Sequence, residues 1–252
     1  MTNAREEANG RYDGPFSENA SHDVPCRGSH VLLVKGARME PLLVVLSGLP
    51  MTLFITVVSF AIGAVLGIPM ALGLRTGVAP VRWVVRLAVD LLRGIPMIVW
   101  LFLLKFGLST PAFRITALEA AIVGLGLISA GYLADIYRGG LQAVPKGQYE
   151  AAAALGIPGA VSFFGVIVPQ AARIVSPSIA TYLIGLLKNS SIASTIAVAE
   201  MVFMAQGYAK QNINTVAGVL PYAIAGVLYI LLSIPVAMLS RRLDANLRKA
   251  VI

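Results

Sequence analysis

Residues 41–74 read PLLVVLSGLPMTLFITVVSFAIGAVLGIPMALGL, an unbroken run from Pro41 to Leu74 without a charged side chain. About 20 consecutive apolar residues cross a bilayer as a helix. The run therefore predicts one full transmembrane helix near 50–74, with a shorter interfacial approach before it. Gly63 and Gly67 stand four apart, a spacing that lets another helix come close in lipid. Glycine is also simply common in membrane helices, and the sequence alone leaves both readings open.

The composition agrees with that first span. The 252 residues are 57% hydrophobic and 13% charged, with a mean hydropathy of +0.79, whereas a soluble chain carries about a quarter charged residues. Cys26 is the only cysteine, which excludes a disulfide scaffold and any cysteine-based metal cluster. The two histidines, His22 and His30, both lie in the polar N-terminal stretch. No histidine-dependent catalytic site is expected in the apolar body. Residues 1–40 hold five basic and six acidic side chains, and the remainder fifteen basic against six acidic. The formal charge of +8 thus belongs to the apolar part. Its basic residues sit singly between apolar runs, as membrane topology requires, rather than on the polar, aromatic-interleaved face that nucleic acid needs.

Residues 1–38 lack a sustained apolar period and read as a disordered polar tail. Residues 39–245 read as a transmembrane domain and 246–252 as a basic C-terminus. Arg75, Arg82 and Arg86 mark a basic loop after the first span. A second span is expected over about Gly94–Leu108 and a third over about Ile115–Tyr137, followed by a turn-rich loop from Arg138 to Gln148. Residues 151–172 are rich in alanine and broken by Pro158, Gly159 and Pro169, so they span poorly. The fourth crossing is placed at about Val175–Leu187 and the last over the uncharged run Gln211–Ser240. Five helices put the termini on opposite sides. The basic loops and the basic C-terminus share one face, which is then cytoplasmic, with the N-terminus outside.

The loop after the third span holds Glu150-Ala151-Ala152, three residues, Gly156, nine residues, then Val166-Ile167-Val168-Pro169. This resembles the EAA signature of the permease subunits of binding-protein-dependent ABC importers, with valine in place of the family's Ile and Leu. Arg93-Gly94-Ile95-Pro96, Tyr132-Leu133-Ala134-Asp135, Arg138 to Gln148 and Leu187-Lys188-Asn189-Ser190-Ser191-Ile192 are similar to segments of permeases for polar amino acids. Asp135 and Asn189 stand where those permeases usually have Glu and Asp. The likeness covers about 45–245.

That resemblance implies an all-α membrane protein of the bacterial inner membrane with a cytoplasmic coupling helix. The implied activity is ATP-driven import of a polar or basic amino acid or a related compound. Implied partners are two ATP-binding subunits, a second permease subunit, an external solute-binding protein and membrane lipid. Glu150, Ala151, Ala152, Gly156 and Pro169 are the expected coupling residues. Pro145 suits a helix start, the alanines let a helix seat closely on a partner, and Gly156 permits a left-handed helix end. No phosphate-binding GxxxxGK[ST] loop occurs in the chain, so hydrolysis falls to a partner, and no cofactor is expected.

Lys188, Asn189, Ser190, Ser191 and Glu200 interrupt an apolar region. They either line a solute pathway or bond to their own helix and sit at an interface. An ion-coupled secondary transporter is the competing reading. It requires an intramembrane carboxylate relay or inverted repeats; no internal repeat is visible and Glu200 is the one deep acid. His22, Cys26 and His30 repeat at intervals of four but lack a fourth ligand and a fold to hold a metal.

Overall fold

A computed structural model describes residues 41–109, 114–212 and 218–249, and every regular element among them is helical. The tail expected over 1–38 lies outside the described residues. The helices are α1 (Pro41–Ser47), α2 (Leu49–Arg75), α3 (Ala79–Gly94), α4 (Met97–Phe102, prolonged by a π turn to Gly107), α5 (Ala117–Ala143) and α6 (Lys146–Ala154). After them come α7 (Gly159–Ser162), α8 (Val168–Asn189, prolonged by a 3₁₀ turn to Ile196), α9 (Met201–Gln211) and α10 (Leu220–Lys249). Among the described residues, four segments are long and apolar enough to cross a bilayer: Pro41–Arg75, Ala117–Ala143, Gly159–Ile196 and Leu220–Arg242. The pair α3 and α4, bent by 99° at Ile95-Pro96, makes a fifth if it counts as one span.

The centre of the fold is the pair α2 and α5. Ser59 donates to the Ile122 carbonyl at 3.2 Å, and Tyr137 donates to the Ala64 carbonyl at 3.4 Å. Numbering rises together along both helices, so they run parallel. Gly63 and Gly67 are the point of closest approach: a Cβ on Gly63 would collide with Ser129, and one on Gly67 would press on the Ala134 nitrogen at 3.2 Å. The four-residue spacing thus serves packing against α5, in the manner of small-residue seams in lipid. Between these parallel helices the chain returns through α3 and α4. Val89 buries against Leu74 and Ala134, and Leu101 and Leu104 pack with Ala120, Ala121 and Leu125. On the other flank α8 and α10 are antiparallel, tied where Ser240 donates to the Pro177 carbonyl at 3.3 Å.

Four boundaries differ from the sequence reading. The basic stretch after Arg75 is the helix α3 rather than a loop, because its arginines recur at helical spacing between apolar residues. Span two is therefore bent, and α4 with its π turn rises only about 16 Å. The turn-rich reading of 138–143 also gives way, since α5 continues unbroken through Gly139 and Gly140 to Ala143. The fourth helical segment begins at Gly159 rather than Val175. Within that segment Pro169 falls in the first turn of α8, just after the π turn Phe163–Ile167, where the missing N–H is tolerated, and Pro177 is carried inside α8. The last segment begins at Leu220, because Gln211 closes the separate helix α9.

Candidate functional site

The segment Val144 to Pro169 forms an elbow at one end of α2 and α5. Val144 (φ −66°, ψ 128°) and Pro145 (φ −57°, ψ 136°) take extended backbone that ends α5, and α6 begins at once. Nine residues, four of them alanine, make a marginal helix alone, so its position depends on what fixes its ends. At the C-terminus the Ile157 N–H donates to the Ala152 carbonyl and the Gly156 N–H to the Ala153 carbonyl, both at 3.0 Å. Gly156 has φ +68°. This is a Schellman cap, and it needs a left-handed residue at that position.

One face of α6 is fastened to the bundle. Ala152 is buried, and Tyr149 donates to the Leu141 carbonyl at 3.2 Å. Arg75, at the end of α2, donates to the Tyr149 hydroxyl at 3.5 Å and lies 5.9 Å from the Phe163 ring. Gln170 of α8 donates to Gln148 at 3.1 Å. Leu141, Val144, Ile167 and Ala171 form the apolar base beneath them. The opposite face carries Glu150, Ala151, Ala154 and Gly156, all exposed, and ends in Leu155 at 77% exposure. Glu150 has no hydrogen bond or ion pair among the described residues. A cleft of about 200 Å³ opens beside the helix between Tyr149, Ala153, Ile157, Ser162 and Phe163. Pro169 is exposed where α8 starts. Four of the five expected coupling residues thus share one exposed elbow, while Ala152 is its inner anchor.

The residues singled out around Lys188 do not form one group. Ser190 is buried and donates to the Leu187 carbonyl at 2.7 Å; Ser191 donates to the Lys188 carbonyl at 2.8 Å. Lys188 is exposed and Asn189 half-buried. Glu200, fully buried, caps α9 by accepting from the Phe203 N–H at 2.8 Å and accepts from the Tyr229 hydroxyl at 2.8 Å. Beside it Thr52 accepts from the Met201 N–H at 3.2 Å. Thr52 lies near the start of α2 and Arg75 at its end, about 35 Å apart along the helix, so this polar knot and the α6 elbow occupy opposite ends of the fold.

Two further groupings were not legible in the linear sequence. Asp135 on α5 pairs with Arg93 at the end of α3, and also with Arg138 at 3.2 Å. Arg93 lies 5.0 Å from the Tyr132 ring, which stacks on Tyr182 at 5.4 Å. Arg75 is the other: its role at Tyr149 depends on a contact across 74 positions. A span read by hydropathy treats each of these charges as a boundary marker.

A family model described as binding-protein-dependent transport system inner membrane component matches residues 63–249. The chain belongs to that family. The permease is 34% identical over 205 residues to the arginine transport system permease protein ArtQ of Bacillus subtilis, covering 81% of this chain and 92% of that one. It is also 34% identical over 208 residues to the L-cystine transport system permease protein TcyB of the same organism, covering 80% and 87%. Among solved structures it resembles an amino acid ABC transporter crystallised with histidines, at 31% identity and TM-score 0.74, over 81% of the permease and 94% of that chain. A methionine ABC transporter in an inward-facing form, at 22% identity and TM-score 0.67, shares the fold.

Proposed function

We propose that this chain is the membrane-spanning subunit of an ATP-driven importer for a polar or basic amino acid or a related compound. It works in a bacterial inner membrane with two ATP-binding subunits, a second permease subunit and an external solute-binding protein. The observation that carries the reading is the α6 elbow. A short helix locked to the bundle on one face, and presenting a carboxylate, small alanines and an apolar knob on the other, is a lever for a partner surface. Closure of two ATPases would push this lever, and α5 and α8, joined to it through Val144 and the 159–169 segment, would move as rigid bodies between two bundle arrangements. ATP supplies the bias through its differential affinity for the closed ATPase pair. The relatives' names, arginine and L-cystine permeases among them, support the amino-acid class.

The reading places the α6 elbow in the cytoplasm, the N-terminal tail outside and the C-terminus inside. Asn189 and Lys188 remain candidates for the solute pathway; Ser190 and Ser191 bond back to the end of α8, and Glu200 is assigned to holding α9 against α10.

The test is uptake into proteoliposomes holding the complete transporter. Uptake is expected to require internal ATP and the external binding protein, and to persist when ion gradients are collapsed. Uptake driven by a proton or sodium gradient without ATP would establish the secondary-transporter reading instead.

A further inference from the structure

Helix α3 divides lengthwise into three stripes. Val85, Val89 and Leu92 face the protein: Val89 is buried against Leu74 and Ala134, Val85 lies against Gly73, and Leu92 against Gly131. Arg82, Arg86 and Asp90, at intervals of four, form a charged and exposed stripe that Arg93 continues to its pair with Asp135. Trp83, Leu87 and Leu91, also at intervals of four, form an exposed apolar stripe broadened by Val84. Trp83 is 72% exposed, Val84 68% and Leu87 60%. The sequence reading held only a basic loop here.

Neither water nor hydrocarbon suits such a helix. A contiguous apolar stripe of this size in water marks an interaction surface, and two arginines with no protein partner among the described residues are costly in acyl chains. The bilayer surface satisfies both stripes at once, with the apolar one among acyl chains and the charged one at headgroup level. Two further observations fit that placement. Val85 lies by Gly73 at the end of α2 and Leu92 by Gly131 at the middle of α5, so α3 slants inward from the surface to the 99° bend and leaves Arg82 and Arg86 at its shallow end. Trp83 follows Arg82 and stands at the seam between the charged and apolar stripes, the level an indole favours. Arg82 and Arg86 against Asp90 leave the free stripe net positive, which selects anionic over zwitterionic headgroups.

We infer that α3 enters the membrane from the bilayer surface, where Arg82 and Arg86 at its shallow end bind anionic phospholipid headgroups while Trp83, Leu87 and Leu91 sit in the acyl layer. The inference rests on the membrane location alone and stands whether or not the importer reading holds.

The test has two arms on the assembled transporter. In a background freed of cysteines in every subunit, a nitroxide label at Leu87→Cys in nanodiscs is expected to be open to oxygen and closed to a water-soluble nickel chelate. Phosphatidylglycerol is then titrated into the detergent-solubilised transporter and read by native mass spectrometry. Arg82→Gln with Arg86→Gln is expected to weaken its apparent affinity roughly tenfold or more, whereas Lys146→Gln on α6 leaves it unchanged. A Leu87 label open to the nickel chelate, or closed to both reagents because a protein subunit covers it, overturns the inference. So does equal retention of phosphatidylglycerol by the double variant, or equal affinity for phosphatidylcholine.

Discussion

Gly156 is held at φ +68°, and a Cβ added there would meet nothing within 4 Å. The demand on this position is therefore purely a backbone one. A β-branched residue pays about 1–2 kcal/mol to enter the left-handed region, whereas asparagine enters it more readily. Gly156→Val is expected to lower solute uptake at least roughly tenfold with normal membrane abundance, and Gly156→Asn to retain most of it. Equal uptake by both variants would remove the turn from the coupling account. Asp135 sits between Arg93 and Arg138 with about a quarter of its side chain exposed. Asp135→Asn leaves two arginines without their counter-charge at a half-buried site. It is expected to cost about 1–2 kcal/mol, less than for a fully buried pair, and to appear as a lower thermal midpoint of the purified transporter. An unchanged midpoint would make the ion pair incidental.

Helix by helix, the α2–α5 contact depends on glycines, and α9 on a buried carboxylate. Gly63→Leu should leave α2 hydrophobic enough to insert but force it off Ser129, with a loss of about 2 kcal/mol or more. Protease resistance of the inserted chain reads this, and wild-type resistance would contradict it. Tyr229→Phe removes the hydroxyl that the buried Glu200 carboxylate accepts from, a cost of about 1–3 kcal/mol measurable as earlier unfolding. Element existence was legible where a uniform apolar run dominates, as in 41–74, and at the Glu150 motif, whose glycine and proline carry local conformational meaning. The α3 helix was not, because hydropathy averaged over a window cancels a helix with opposed charged and apolar stripes. The full length of α5 was hidden by Gly139 and Gly140, which read as a turn in isolation yet stay helical where Val175 and Ala171 of α8 pack against Gly140. Arg93 with Asp135, and Arg75 with Tyr149, depend on distances between helices that no local pattern encodes.

For the molecule as a whole, residues 1–38 are expected to take no part in transport, since the family match begins at residue 63. A chain beginning near Arg38 is expected to match full-length uptake at equal membrane abundance, and a large loss, or a loss reproduced by Cys26→Ser alone, would assign the tail a function. Sidedness is read the same way: in a Cys26→Ser background, Gln148→Cys is expected to react with a membrane-impermeant thiol reagent only after the membrane is opened. The exposed face of α6 is expected to dock the ATPase, and photo-cross-linking within the assembled transporter measures this face by face. Cross-linking residues at Glu150, Ala151 and Leu155 are expected to yield adducts with the ATP-binding subunit, and those at Tyr149 and Ala152 adducts within this chain. No ATPase adduct from any of the three exposed positions, or adducts with the external binding protein instead, would contradict it.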